Sequence, residues 1–106
     1  TTMAGLGKAA RGKRRWIGVR ISSGAASRES CKEFLGQLLE GLHWKLYDHY
    51  SELDGSVGAI VRVPLVDCET ATSRMNSDEC CCTITRSGKI RLVRERLGID
   101  KQGFRK

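Results

Sequence analysis

Arg14-Arg15-Trp16-Ile17-Gly18-Val19-Arg20-Ile21-Ser22 is the stretch whose reading decides the fold. Its residues alternate. Ile17, Val19 and Ile21 fall on one face and Trp16, Gly18 and Arg20 on the other, the pattern of a half-buried strand. A strand with one apolar face needs partners at its edges and a layer over that face. The rest of the chain must supply both.

Downstream, Ser23 to Ser27 reads as a turn, with Ser27 placed to cap a helix. Cys31, Phe34, Leu35, Leu38, Leu39 and Leu42 then recur at i, i+3, i+4 and i+7, which predicts an amphipathic helix over Arg28–His43. Lys45–Glu52 is a weaker strand candidate, and Leu53-Asp54-Gly55-Ser56 is a hairpin turn signal. Val57–Val63 is a β-branched strand ended by Pro64. Leu65, Cys68, Thr72 and Met75 keep helical spacing through Asn76, and Pro64 suits the first turn of that helix. Glu79–Thr85 reads as a last strand, with Cys80, Cys82 and Ile84 sharing a face. A final helix runs from about Gly88 to Leu97 and is capped by Gly98.

The expected order is β-α-β-β-α-β-α. Its first six elements form the split βαβ arrangement of ferredoxin-like and RRM-like folds, an α/β (α+β) class with an antiparallel sheet and an extra C-terminal basic helix. At 106 residues the chain supports one core. Residues 1–13 read as a flexible basic arm and 14–106 as a single domain.

Charge is placed unevenly along the chain. The net charge is +7, yet residues 1–20 hold six Lys/Arg and no acid, residues 86–106 hold eight against two, and the segment between is acidic. Like charges at both ends call for a polyanion partner, most often nucleic acid. With Ile90, Val93 and Leu97 turned to the core, Lys89, Arg91, Arg94 and Arg96 are expected to face outward, after a helix start at Ser87-Gly88 suited to phosphate. An RNA-recognition module that stacks bases on its central strands is doubtful, since Trp16 has no aromatic counterpart in Val57–Val63.

Other chemistries find little support. The five cysteines, three of them consecutive, suit neither a disulfide framework nor zinc spacing and read as reduced, mostly buried residues. No metal or cofactor is expected on the protein. No nucleophile elbow or phosphate loop is present. His43, His49 and Tyr50 leave open an enzyme or ligand-binding domain, although each histidine is more often structural or at the surface. No apolar run approaches the length of a membrane span and no secretory signal is visible.

Three landmarks stand in order: Arg15-Trp16-Ile17, Gly58-Ala59-Ile60-Val61-Arg62, and Ser87-Gly88-Lys89-Ile90 before a basic helix. Together they resemble the Pop-five family, the small protein subunit of ribonuclease P and ribonuclease MRP in archaea and eukaryotes. Its members open on an Arg-Tyr strand, carry a Gly-Ile-Val-Arg strand, and place Ser-Gly-Thr-Ile ahead of a Lys/Arg-rich helix. Trp16, Ala59 and Lys89 depart from the family's Tyr, Gly and Thr, and the segment 65–76 is more polar and shorter than the family's second helix. The resemblance covers about residues 14–104.

It implies a non-catalytic RNA-binding subunit supporting the catalytic core of an RNA that processes tRNA or rRNA precursors, with Mg2+ on that RNA only. Implied partners are structured RNA, a barrel-fold subunit and a second small subunit of the same fold, with no membrane. The implied location is the nucleus or nucleolus. Combined with the charge pattern, the candidate RNA contacts are Arg14, Arg15, Arg62, Arg86, Ser87, Gly88, Lys89, Arg91, Arg94 and Arg96. The alternative is a structural protein of a ribosome or mitochondrial ribosome with the same fold, and then an organelle is the expected location.

Overall fold

The computed structural model describes residues 13–52 and 54–99, so the arm at 1–12 and Lys101, Arg105 and Lys106 lie outside the described residues. Arg14–Ile21 forms β1, an interior strand of a four-stranded antiparallel sheet. β1 pairs with β3 (Val57–Pro64) on one side and β4 (Cys81–Ser87) on the other, and β2 (Lys45–Ser51) forms the far edge against β3. The sheet order is β2-β3-β1-β4. The helices are α1 (Arg28–Leu38), α2 (Cys68–Asn76) and α3 (Ile90–Leu97), giving an α+β protein. A short 3-10 turn, Leu65–Asp67, separates β3 from α2, and α3 follows β4. By these two additions the chain departs from a bare six-element β-α-β-β-α-β unit.

The alternation in β1 sets the layers. Ile17, Val19 and Ile21, with Val57, Ala59, Val61 and Val63 of β3, face α1 and α2 and are buried with Cys31, Leu35 and Met75. Burying each larger aliphatic side chain of this kind contributes about 1.5–3 kcal/mol. α3 lies on the opposite face. Eight residues make no stable helix in water, and α3 is held by packing. Val93, Leu97 and the following Ile99 close over Tyr50 and Ile60, with Trp16 and Ile90 at the margin.

Two glycines make that second layer possible by close approach. A Cβ on Gly18 would stand 2.9 Å from Leu97 Cδ1 and 3.2 Å from Val93 Cγ1. A Cβ on Gly58 would stand 2.1 Å from Tyr50 Cζ, so that ring lies flat across the bare backbone of β3.

Capping follows the sequence at two places. The Ser30 N–H donates to Ser27 Oγ at 3.0 Å ahead of α1. Gly98, at φ 72°, ends α3 while the N–H groups of Gly98 and Ile99 return to the Glu95 and Arg94 carbonyls.

Other boundaries differ from the expectation. α1 stops at Leu38 instead of His43, because Leu39 leaves helical geometry and Gly41 turns the chain at φ 85°. The turn folds back, so Leu39 is still buried and Leu42 half-buried. The last strand spans Cys81–Ser87, not Glu79–Thr85. Asp78 holds the preceding turn: its carboxylate accepts from the Cys80 N–H at 2.8 Å and its carbonyl from the Cys81 N–H at 3.1 Å. Cys81 is therefore the buried cysteine of the run, while Cys82 and Ile84 are exposed. Arg86 and Ser87 stay in β4, opposite Ile17 and Trp16, and α3 begins at Ile90, two residues later than expected. Among the described residues no helix is long and apolar enough to cross a membrane.

Candidate nucleic-acid interface

Antiparallel pairing gathers cations that are far apart in sequence. The starts of β1 and β2 and the ends of β3 and β4 share one end of the sheet: Trp16 pairs with Arg62 and with Ser87, and Lys45 pairs with Arg62. Arg14, Arg15, Lys45, Arg62, Arg86 and Lys89 are thereby brought to this end. Arg14, Lys45 and Lys89 are exposed, as is Arg91 in the first turn of α3. Arg15 reaches Gly88, where a Cβ would meet its Nη1 at 3.1 Å. The Ser87 hydroxyl accepts from the Lys89 N–H at 3.2 Å and holds the bend into α3.

The basic residues do not all serve one surface. Arg86 meets Glu69 of α2 at 2.9 Å, an exposed pair of small energetic weight. Arg96 donates to Thr85 Oγ1 at 2.9 Å and to the Arg86 carbonyl at 3.2 Å. Arg94, expected to face outward, crosses to β2. Its Nε and Nη2 donate to the Asp48 carboxylate at 2.7 and 3.1 Å, and Asp48 is only 5% exposed. A buried carboxylate needs a cation in bidentate contact, so Arg94 serves the fold. Arg94 and Arg96 also sit in the last turn of α3, where positive charge offsets the helix dipole.

Sequence reasoning missed an aromatic and basic group beside this end. The β2–β3 register shifts between Leu46 and Asp48, so Tyr47 sits at a bulge. Before the bulge Leu46 faces the α1/α2 core, and after it Asp48 and Tyr50 face α3. Tyr47 meets Trp16 edge-on, with ring centroids 6.3 Å apart. Lys45 Nζ and the Arg62 guanidinium lie 5.5 and 5.3 Å from the Tyr47 centroid, within cation–π range. Arg62 Nη1 also donates to the Tyr47 hydroxyl at 2.7 Å. Trp16 Nε1 is buried with no acceptor among the described residues. The aromatic counterpart absent from β3 is supplied by β2. No alternation pattern reveals this, because the bulge reverses the pattern midway.

The residues that leave an enzyme open do not converge. His49 Nε2 lies 2.9 Å from the Ala25 carbonyl on the α1 side of the sheet, Tyr50 packs on the α3 side, and His43 is exposed before β2. Among the described residues no three His, Cys, Asp or Glu side chains form a metal-holding group.

At the other end of the sheet, Arg20 pairs with Asp54 in the β2–β3 turn. The Ser56 hydroxyl and N–H donate to Asp54 at 2.6 and 3.0 Å. These bonds, followed by the Arg20 charge, hold the Asp54 carboxyl below its ordinary range. That arginine is neutralised locally, whereas Arg14, Lys89 and Arg91 form none of the ion pairs seen among the described residues.

Comparison of the chain with known protein families, with curated proteins and with solved structures finds no match.

Proposed function

We propose that this chain is a non-catalytic RNA-binding protein, built as a ferredoxin-like or RRM-like sheet with an added basic helix. In this reading it is a subunit of a ribonuclease P/MRP-type particle that supports the RNA during tRNA or rRNA precursor processing. The carrying observation is the collection of Arg14, Arg15, Lys45 and Arg62 at one end of the sheet by strand pairing, with Lys89 and Arg91 following the end of β4 in the chain. Cations projecting from a rigid frame suit the phosphates of a folded RNA, and their binding energy comes largely from counterion release. The strand order β2-β3-β1-β4 supports the fold name, and the landmarks at 15–17, 58–62 and 87–90 support the particle. Mg2+ then belongs to the RNA. A barrel-fold subunit and a second small subunit of this fold are the protein partners, and the nucleus or nucleolus is the location.

The test uses Arg14, Lys89 and Arg91. Arg94 is unsuitable because its loss strips Asp48 of its partner. Reversing all three to Glu is expected to weaken binding to a structured RNA by about 100-fold or more at 0.1 M salt, and to flatten the log–log salt slope by about 2–3. Unchanged affinity removes the proposal. Sequencing RNA that copurifies with the chain then separates the particles: ribosomal RNA selects the ribosomal alternative, and a ribonuclease P or MRP RNA rejects it.

A further inference from the structure

Beside the cationic surface is a cleft of about 530 Å3 lined by Arg14, His43, Trp44, Lys45, Arg62 and Pro64. Its volume lies within the about 300–1,000 Å3 usual for small-molecule sites. Three of the six lining residues are cations and none is an acid. Trp44 is half-buried and packs against the α1/α2 core. Its Cζ2 lies 3.6 Å from where a Gly36 Cβ would be, so the ring is backed by α1. Arg62 is fixed from behind by the Tyr47 hydroxyl at 2.7 Å. Arg14 and Lys45 stand exposed at the rim.

An indole backed by a helix, in a lining that also holds three cations and no acid, matches a planar aromatic group joined to an anion. We propose that this cleft takes one unpaired nucleotide of a bound RNA, its base against Trp44 and its phosphate between Arg14 and Lys45. This rests on the RNA-binding proposal and narrows it to RNA with bulges, loops or single strands. A blunt duplex keeps its bases stacked and has none to place here. No residue of α3 lines the cleft, so Lys89 and Arg91 at the start of the helix hold backbone while Trp44 selects unpaired residues.

Three labelled probes test this with the full chain: single-stranded octaadenylate, a blunt 16-base-pair RNA duplex, and that duplex with one bulged adenosine. Octaadenylate and the bulged duplex are expected to bind more tightly than the blunt one. Trp44→Leu keeps an apolar group over Gly36 and removes the π face. It should weaken those two probes about tenfold and leave the blunt duplex unchanged, with Trp44→Phe restoring most of the loss. With 5-iodouridine in place of the bulged adenosine, the probe should crosslink to the peptide containing Trp44.

Equal effects of Trp44→Leu on all three probes, or on none, overturn the cleft proposal while leaving RNA binding intact. Crosslinks confined to α3 do the same. Failure of every probe to bind removes the RNA-binding proposal along with this one. Displacement of octaadenylate by a polyglutamate peptide at equal charge concentration overturns the nucleotide in favour of an acidic protein segment. If Trp44→Leu shifts the unfolding midpoint, the crosslink in the unsubstituted protein decides alone.

Discussion

The two faces of the sheet solve different problems. The face toward α1 and α2 is mainly aliphatic, with Ile17, Val19, Ile21, Val61 and Val63 under two helices and, among the described residues, no charged side chain buried with them. The face toward α3 is mixed: Tyr50, Ile60, Val93 and Leu97 share it with the Asp48–Arg94 pair, while Tyr47 and Trp16 lie near its margin. The first face needs only hydrophobic residues of suitable size, which cores tolerate in many combinations. The second depends on close approach and on complete pairing of charge, so single changes there should be felt more sharply.

The largest effect is expected at Asp48. Asp48→Ala removes the buried carboxylate that pairs with Arg94 and should cost about 2–4 kcal/mol in urea unfolding, a little below a fully buried pair because Arg94 keeps some contact with water. Replacing both, as Asp48→Leu with Arg94→Met, should recover most of that loss. A double variant as unstable as the single one would show that α3 needs the pair's geometry and not merely its neutrality.

Next come the glycines. Gly58→Ala forces the Tyr50 ring aside and should cost about 1–3 kcal/mol, the range for overpacking. Gly18→Ala meets the movable end of Leu97 and should cost less. Equal losses at Gly18 and Gly58 would erase the distinction between a displaced ring and a displaced methyl.

The smallest effect belongs to the aliphatic face and is read through pH. Burial pushes the Cys31 thiol up to about 11 and, with the neighbouring Cys82 adding to it, the Cys81 thiol up to about 12, from an ordinary value of 9.0. A folded pKa above the unfolded one favours the protonated thiol. Its stabilisation is therefore complete below pH 9 and lost as pH rises through 11 to 12. The urea midpoint should be flat from pH 7 to 9 and then fall, and Cys31→Ala with Cys81→Ala should shallow the fall. Exposed Cys82 should be alkylated first at pH 8. Comparable rates at Cys81 would mean that this face opens as readily as the surface.

How much was legible differs between the faces for a physical reason. Alternation in β1 and the stripe Cys31–Leu35–Leu38 report which side chains avoid water, and burial follows that preference directly. The Ser27 and Gly98 caps were equally readable, because capping is a local contest for backbone hydrogen bonds. The end of α1, the start of β4 and the start of α3 were not, since each is set by a turn that the surrounding fold stabilises. At the candidate site, Arg14, Arg15, Arg62 and Lys89 were visible as charge, but charge alone did not distinguish Arg94, which is committed to Asp48, from Arg91, which is exposed. The place of Tyr47 beside Trp16 was not legible because a bulge reverses which residues of β2 face α3, and the cleft at Trp44 and Lys45 was not because Arg14, Arg62 and Pro64 join it from β1 and β3.

Sequence by itself determined the α+β element order, the aliphatic layer between sheet and helices, and the excess of positive charge toward both ends. These follow from periodicity and composition, which local and solvent forces read without reference to the fold. Tertiary structure decided which cations face solvent, that distant strand ends meet in one basic surface, and that Trp44 walls a cleft beside it. Those outcomes depend on strand register and on distances of a few ångströms between residues far apart in the chain, and no pattern within a single segment encodes them.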